Sequence, residues 1–261
     1  VTTQSIISFL DAVEAGDQEL HSFMYLRNGK VIAEGWWDPY APDLKHTLYS
    51  TSKSFTSTAI GFAVSEGLLS VDDSVISFFP DRLPDTVSEH LAAMTVKQLL
   101  TMSTGQDPPP NLRQVGADEE WVSAFLAYPV AHAPGTRFSY NSHATYMLSA
   151  IITELTGETL MEYLTPRLFE PLQITGMDWE TDPEGINSGG WGLRLRTEDM
   201  AKFGQFYLQE GRWDGAQLLP AGWIAEATSK QIDQAPGMPG AARAGNDWIQ
   251  GYGYQFWRSQ H

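Results

Sequence analysis

The chain has 261 residues, 42% of them hydrophobic and 12% aromatic, which is enough for a substantial buried core in one large domain or two moderate ones. Its 32 acidic against 16 basic side chains leave a formal charge of −16, with Lys and Arg scattered singly, which excludes nucleic acid and anionic membrane surfaces as expected partners. With no cysteine there are no disulfides, thiolate metal sites or cysteine nucleophiles, and no apolar run approaches the roughly 20 residues that span a bilayer.

The stretch Val1 to Leu10 lacks the basic-then-apolar order of a secretory signal, which favours the cytoplasm without fixing the compartment. Ile6, Ile7, Phe9, Leu10 and Val13 recur at helical spacing, and Gly16 follows as a stop. Two strand-like runs, His21 to Arg27 and Lys30 to Trp37, flank Asn28-Gly29, the dipeptide best suited to a type I′ turn, so residues 21–38 are expected to form a β-hairpin. From Ser50 the apolar spacing turns helical through Phe55, Ala59, Ile60, Ala63 and Val64 up to Gly67, which predicts a buried helix over Ser50 to Ser65.

Residues 68–180 carry helical stretches (Val96–Met102, Trp121–Leu126, Ala144–Leu155, Met161–Phe169) separated by Pro- and Gly-bearing loops, and this block reads as all-helical. Thr197, followed by Glu198 and Asp199, is the expected N-cap of a helix running to about Gln209. The run Gly251 to Arg258 alternates like a strand, so the order is strands, helices, then strands again.

The chemistry concentrates in two places. Ser50-Thr51-Ser52-Lys53 sets a hydroxyl and an amine three residues apart on one helix face. A serine hydroxyl is a weak nucleophile until a neighbour takes its proton, and a desolvated lysine can do so. The second place is Phe138-Ser139-Tyr140-Asn141-Ser142, predicted to lie on a loop before the Ala144 helix. There Tyr140 can relay a proton and Ser142 can hydrogen-bond Lys53 or a substrate. His143 is a candidate substrate contact, set against the plainer reading of an isolated surface histidine. Trp191, beside Gly189 and Gly190, is a candidate cleft residue, whereas Trp36, Trp37 and Trp248 are expected to pack. The six histidines have no metal-like spacing, and neither metal nor organic cofactor is expected.

Ser50 and Lys53 in a Ser-x-x-Lys motif, followed by Tyr140 and Ser142 in a Tyr-x-Ser motif, resemble the β-lactamase-related serine hydrolases: class C β-lactamases, DD-peptidases and the esterases of that fold. Thr95 to Gly105, His132 to Tyr140 and Gly189 to Leu193 add to the likeness, which runs from about Ser22 to Trp257. The resemblance implies an α+β fold: an antiparallel sheet flanked by helices and built from both chain ends, with an inserted all-helical subdomain. Residues 1–67 would supply the hairpin and nucleophile helix, 68–180 the helical subdomain, and 181–261 the return to the α/β domain.

The resemblance further implies Ser50 as nucleophile with Lys53 and Tyr140 managing its proton, and Ser142, His143 and Trp191 at the substrate. It also implies a small-molecule ester, amide or β-lactam as partner. An esterase or amidase on small acyl groups is favoured, with a β-lactamase or DD-peptidase as the alternative and a non-catalytic binding module as the reading of another class. The family's third motif, a Lys-Thr-Gly or His-x-Gly strand, has no counterpart after Gly251 to Arg258. A further C-terminal segment or a second chain is therefore expected to complete the sheet.

Overall fold

A computed structural model describes residues 2–16, 18–111, 120–238, 242 and 244–259. Helix α1 (Thr3–Ala15) starts at Thr2, whose hydroxyl accepts from the Ser5 amide, and Gly16 caps its end. Asn28 and Gly29 both take positive φ (52° and 72°), the geometry of a type I′ turn, and join β1 (Ser22–Arg27) to β2 (Lys30–Trp36). Among the described residues this hairpin is a two-stranded sheet, and Val31 and Ile32 of β2 are exposed.

A second sheet sets the position of the chemistry. Strands β3 (His46–Thr47), β4 (Asp178–Trp179) and β5 (Leu193–Leu195) form an antiparallel sheet in the order β3-β5-β4. His46 pairs with Leu195 and Thr47 with Arg194, and the Leu48 amide then donates to the Leu193 carbonyl at 2.9 Å. The chain is thus held in register up to the residue before the nucleophile turn.

Helix α2 (Ser52–Ser65) runs through the middle of the molecule and is buried on nearly every side, so its apolar residues need no single stripe. Its neighbours are α6 (Ser142–Thr156) and α7 (Leu160–Leu164). A Cβ on Gly61 would lie 2.4 Å from Trp223 Nε1, so only glycine lets Trp223 press against the α2 backbone. Around this axis stand α3 (Glu89–Ala92), α4 (Val96–Leu100), α5 (Trp121–Ala127), α8 (Thr197–Leu208) and α9 (Ala221–Thr228). A small hairpin, β6 (Arg212–Trp213) with β7 (Ala216–Gln217), precedes α9. No described helix is long and apolar enough to cross a membrane. Helices together with small antiparallel sheets make the fold α+β, as the sequence implied.

Several local expectations are corrected. Helix α2 begins at Ser52, and Ser50 sits in the 3₁₀ turn Tyr49–Thr51 before it. Residues 251–258 are not a regular strand: Tyr252 makes only isolated bridges, to Ile232 and Trp257, and Gln255 has φ +66°. Tethering of the Gln255 side chain, described below, bends the segment out of extended geometry. The α8 cap is Arg196, whose amide donates to Asp199, while Thr197 donates its hydroxyl to Ser22 instead. Trp248 is exposed, its ring edge against Trp257.

His46, buried at the start of the nucleophile-bearing segment, stacks with Tyr40 and His21 and lies 3.3 Å from the Thr197 hydroxyl. Burial, and secondarily the neighbouring His21, hold its pKa below the ordinary 6.5. The neutral ring therefore favours the folded state, and its contribution is full above pH 6.5 and is lost as pH falls through the lowered folded value. Calorimetric Tm is expected to drop between about pH 7.5 and pH 5.5, and His46→Gln to flatten that slope. An undiminished slope in the variant would assign the titration to another group.

Candidate active site

Tyr49 enters the nucleophile turn at φ +45°, a conformation that an aromatic residue adopts only under constraint. The constraint comes from both sides: β3 holds the chain before it, and the Ser52 hydroxyl accepts from the Leu193 amide at 3.2 Å after it. Although Ser50 precedes the α-helix, the tight turn keeps residues three apart on one side. Lys53 Nζ lies 3.2 Å from Ser50 Oγ.

Lys53 is 1% exposed, and a buried ammonium is tolerated only when its N–H groups are satisfied. Ser50 Oγ, Ser142 Oγ at 3.1 Å and the Gly190 carbonyl surround Nζ, three oxygens for three N–H bonds.

Ser142 is positioned by a cap rather than by the loop expected from sequence: it is the first residue of α6, and Asn141 is the N-cap. Asn141 Oδ1 accepts from the amides of His143 (3.0 Å) and Ala144 (3.3 Å), as asparagine does at helix starts. Its Nδ2 donates to Gln106 Oε1 at 3.0 Å, and Gln106 in turn donates to the Phe125 carbonyl. This buried chain of amides fixes the residues on either side, Tyr140 and Ser142.

The Tyr140 ring lies 5.1 Å from Lys53 Nζ, and it walls the same cavity as Ser50. Burial pushes the phenol above its ordinary value of 10, while the neighbouring Ser50 and Trp257 side chains oppose the shift. Tyr140 is therefore a neutral phenol near pH 7, able to carry a proton between partners.

The third wall is the turn 188–192. Ser188 Oγ and Trp179 Nε1 both donate to the Trp191 carbonyl, and Thr56 on α2 donates to the Gly189 carbonyl at 2.8 Å. A Cβ on Gly190 would sit 2.5 Å from the Ser142 carbonyl, so glycine permits the approach that brings the Gly190 carbonyl to Lys53.

Ser50 opens onto two cavities. One, of about 170 Å³, is walled by Lys53, Tyr140, Tyr252, Gln255 and Trp257. The other, of about 290 Å³, is walled by Tyr49, Ser142, His143, Gly190 and Trp191. His143 is not on the surface: it is buried, edge-on to Trp121 and Trp191 with ring centroids 6.5 and 5.5 Å away. The structure thus brings Ser50, Lys53, Tyr140, Ser142, His143 and Trp191 around one cleft. Among the described residues no group of three or more His, Asp or Glu side chains is arranged to hold a metal.

Sequence reasoning passed over the wall formed by residues 252–257. Gln255 Nε2 donates to the Leu99 and Leu100 carbonyls at 2.9 and 3.0 Å, and its Oε1 accepts from Thr145 Oγ1 at 2.7 Å. This clamp presses Tyr252 and Trp257 against Tyr140, with ring centroids 6.4 and 5.4 Å away. A lone glutamine in an aromatic run carries no signal for such a role; the density of aromatics in 252–257 was the available hint.

Gly190→Ala is expected to force the 188–192 turn away from α6, costing about 1–3 kcal/mol of stability and slowing covalent labelling of Ser50. Chemical denaturation and labelling rates measured together check this; unchanged values for both would show that the turn relaxes without cost.

The Beta-lactamase family model matches residues 13–261. A 6-aminohexanoate-dimer hydrolase of Paenarthrobacter ureafaciens is 23% identical over 217 residues, covering 78% of this chain and 55% of that protein. Among solved structures, the octameric penicillin-binding protein homologue from Pyrococcus abyssi superposes with a TM-score of 0.73 at 21% identity, over 98% of this chain and 64% of that one. A penicillin binding protein from Bacillus halodurans gives 0.71 at 16% identity, over 97% and 84%. The chain thus spans 55% of the hydrolase's length and shares the fold of penicillin-binding protein homologues. A family match over nearly all of its residues, with a cleft built on Ser50, Lys53 and Tyr140, places the chain in the Beta-lactamase family.

Proposed function

We propose that the protein is a serine hydrolase that cleaves small-acyl esters or amides through an acyl-enzyme on Ser50. The observation that carries this reading is one hydroxyl between two proton carriers: Ser50 Oγ is 3.2 Å from Lys53 Nζ and shares a cavity wall with Tyr140, whose phenol pKa it lowers against the effect of burial. Membership of the Beta-lactamase family and a relative named as a hydrolase support it.

In this mechanism Lys53 reacts as the neutral amine: Ser50 Oγ attacks the carbonyl carbon while its proton passes, directly or through the Tyr140 hydroxyl, to Lys53 Nζ. The tetrahedral intermediate collapses as the C–O or C–N bond breaks, and the pair returns the proton to the leaving atom. Water then attacks the acyl ester, giving its proton to the same pair; release of the carboxylic acid restores Ser50. The neutral phenol of Tyr140 serves as the relay, so no phenolate is required near pH 7.

Two modest cavities on either side of Ser50 suit a small acyl group and a small leaving group, which favours esters or amides. A β-lactam substrate is the second reading, favoured by the family itself. Relative turnover of a short-chain aryl ester and a chromogenic cephalosporin separates them.

A serine-reactive phosphonate is expected to add once, at Ser50, as read by intact-protein mass spectrometry and peptide mapping. Ser50→Ala should take no label, and Tyr140→Phe should slow ester turnover by about 10²–10⁴-fold. A folded wild-type chain that stays unlabelled would favour a non-catalytic binding module instead.

A further inference from the structure

A positive φ is costly for a residue that carries a Cβ, and at two bulky positions the fold compensates through the side chain. Met102 (φ +56°) is buried, and its sulfur accepts from the Asn141 amide at 3.2 Å. Gln255 (φ +66°) is buried and held by its bonds to Leu99, Leu100 and Thr145. Tyr49 (φ +45°) differs from both, because its side chain is 73% exposed. The flanking contacts dictate the turn at this position, yet glycine or asparagine would meet it with less strain. An aromatic ring there neither fills the core nor eases the backbone. Strain held without such compensation points to a task in the cleft.

The ring stands where a substrate must pass. Tyr49 precedes Ser50 and walls the cavity of about 290 Å³ that opens at the nucleophile, and it also walls a second cavity of about 460 Å³. Tyr140 walls the cavity of about 170 Å³ at the same serine. In the hydrolase reading the proton relay serves the leaving atom, so the departing half lies on the Tyr140 side and the acyl half on the Tyr49 side. An alkyl chain running out from the acyl carbon then lies along the Tyr49 ring and takes apolar surface of both out of water.

We propose that Tyr49 is a specificity-determining residue, whose ring holds the alkyl chain of the acyl group and favours hexanoyl over acetyl substrates. The acyl assignment rests on the hydrolase reading; the contact of the ring with an alkyl chain does not. Stability and selectivity oppose each other at this position, since the residue that suits the turn best has no ring to offer.

Tyr49→Gly and Tyr49→Phe separate the ring from the turn. The calorimetric Tm of Tyr49→Gly is expected to rise by about 2–4 °C as the strain is relieved. A fall would show that the ring holds the turn, and would overturn the proposal. The ratio of kcat/KM for 4-nitrophenyl hexanoate over 4-nitrophenyl acetate is expected to drop about tenfold in Tyr49→Gly and to be kept in Tyr49→Phe. One fully buried methylene is worth about fourfold, so four methylenes against one wall among several reach that size. A displaced nucleophile would instead slow both esters alike and leave the ratio unmoved, which counts against the ring contact. A loss of discrimination between hexyl and ethyl acetates, with the acyl ratio unmoved, would put the ring against the departing half and equally overturn the proposal.

Binding in Ser50→Ala, titrated calorimetrically with N-methylhexanamide and N-methylacetamide, reads the contact without turnover. The longer amide is expected to bind about tenfold more tightly, and the difference to shrink in Ser50→Ala/Tyr49→Gly. Failure of both esters to acylate Ser50, with that binding preference present and dependent on Tyr49, sinks the hydrolase reading and leaves the ring contact standing. Turnover of both esters at a ratio that survives Tyr49→Gly sinks the ring contact alone.

Discussion

Burial of the Lys53 amine is the constraint on which the rest of the cleft depends. An ammonium taken out of water is costly unless its donors are met, and here the acceptors come from three separate parts of the chain. Ser50 belongs to the turn before α2, Ser142 to the first residue of α6, and Gly190 to the turn before β5. One side chain therefore ties the nucleophile, the helical block and the sheet to a common point. The surrounding details follow from that convergence. Asn141 must cap α6 so that Ser142 points inward, and residue 190 must lack a Cβ so that its carbonyl can reach the amine. Thr56 holds the same turn from one helical turn further along α2.

The acceptors are neutral, and that matters chemically. Lys53 can therefore stand as a neutral amine among these three neutral oxygens without stranding a buried anion, which lets it accept the Ser50 proton. Burial of Tyr140 works in the same direction by keeping its phenol protonated. The clamp at Gln255 contributes by packing aromatic rings around Tyr140.

What the sequence revealed and what it hid divide along the range of the interactions. Ser50 and Lys53 meet through a spacing of three residues, and Tyr140 and Ser142 flank one cap, so each pair was legible as a local pattern. The hairpin was legible for the same reason, since Asn28-Gly29 encodes its own turn. The convergence of these patterns on one point came only from their ordered resemblance to a family. Residues 251–258 show where local reading fails: alternation predicted a strand, but carbonyls of α4 and the hydroxyl of Thr145 capture the Gln255 side chain and reshape the backbone. His143 likewise reads as a surface residue until the approach of Trp121 and Trp191, distant in sequence, buries it.

The two sides of the cleft are built from unlike materials, and this gives the site its direction. On the Tyr140 side the walls are aromatic rings clamped from behind by amide hydrogen bonds, leaving a small space. On the Trp191 side the walls belong to loops that meet across glycines, at Gly190 against Ser142 and at Gly192 against Glu180. A tight pocket next to the proton relay favours a compact departing group whose protonation is controlled. The two walls are coupled through Lys53, whose amine reaches Ser142 and Gly190 on the Trp191 side, so a change in the 188–192 turn is felt at the proton relay.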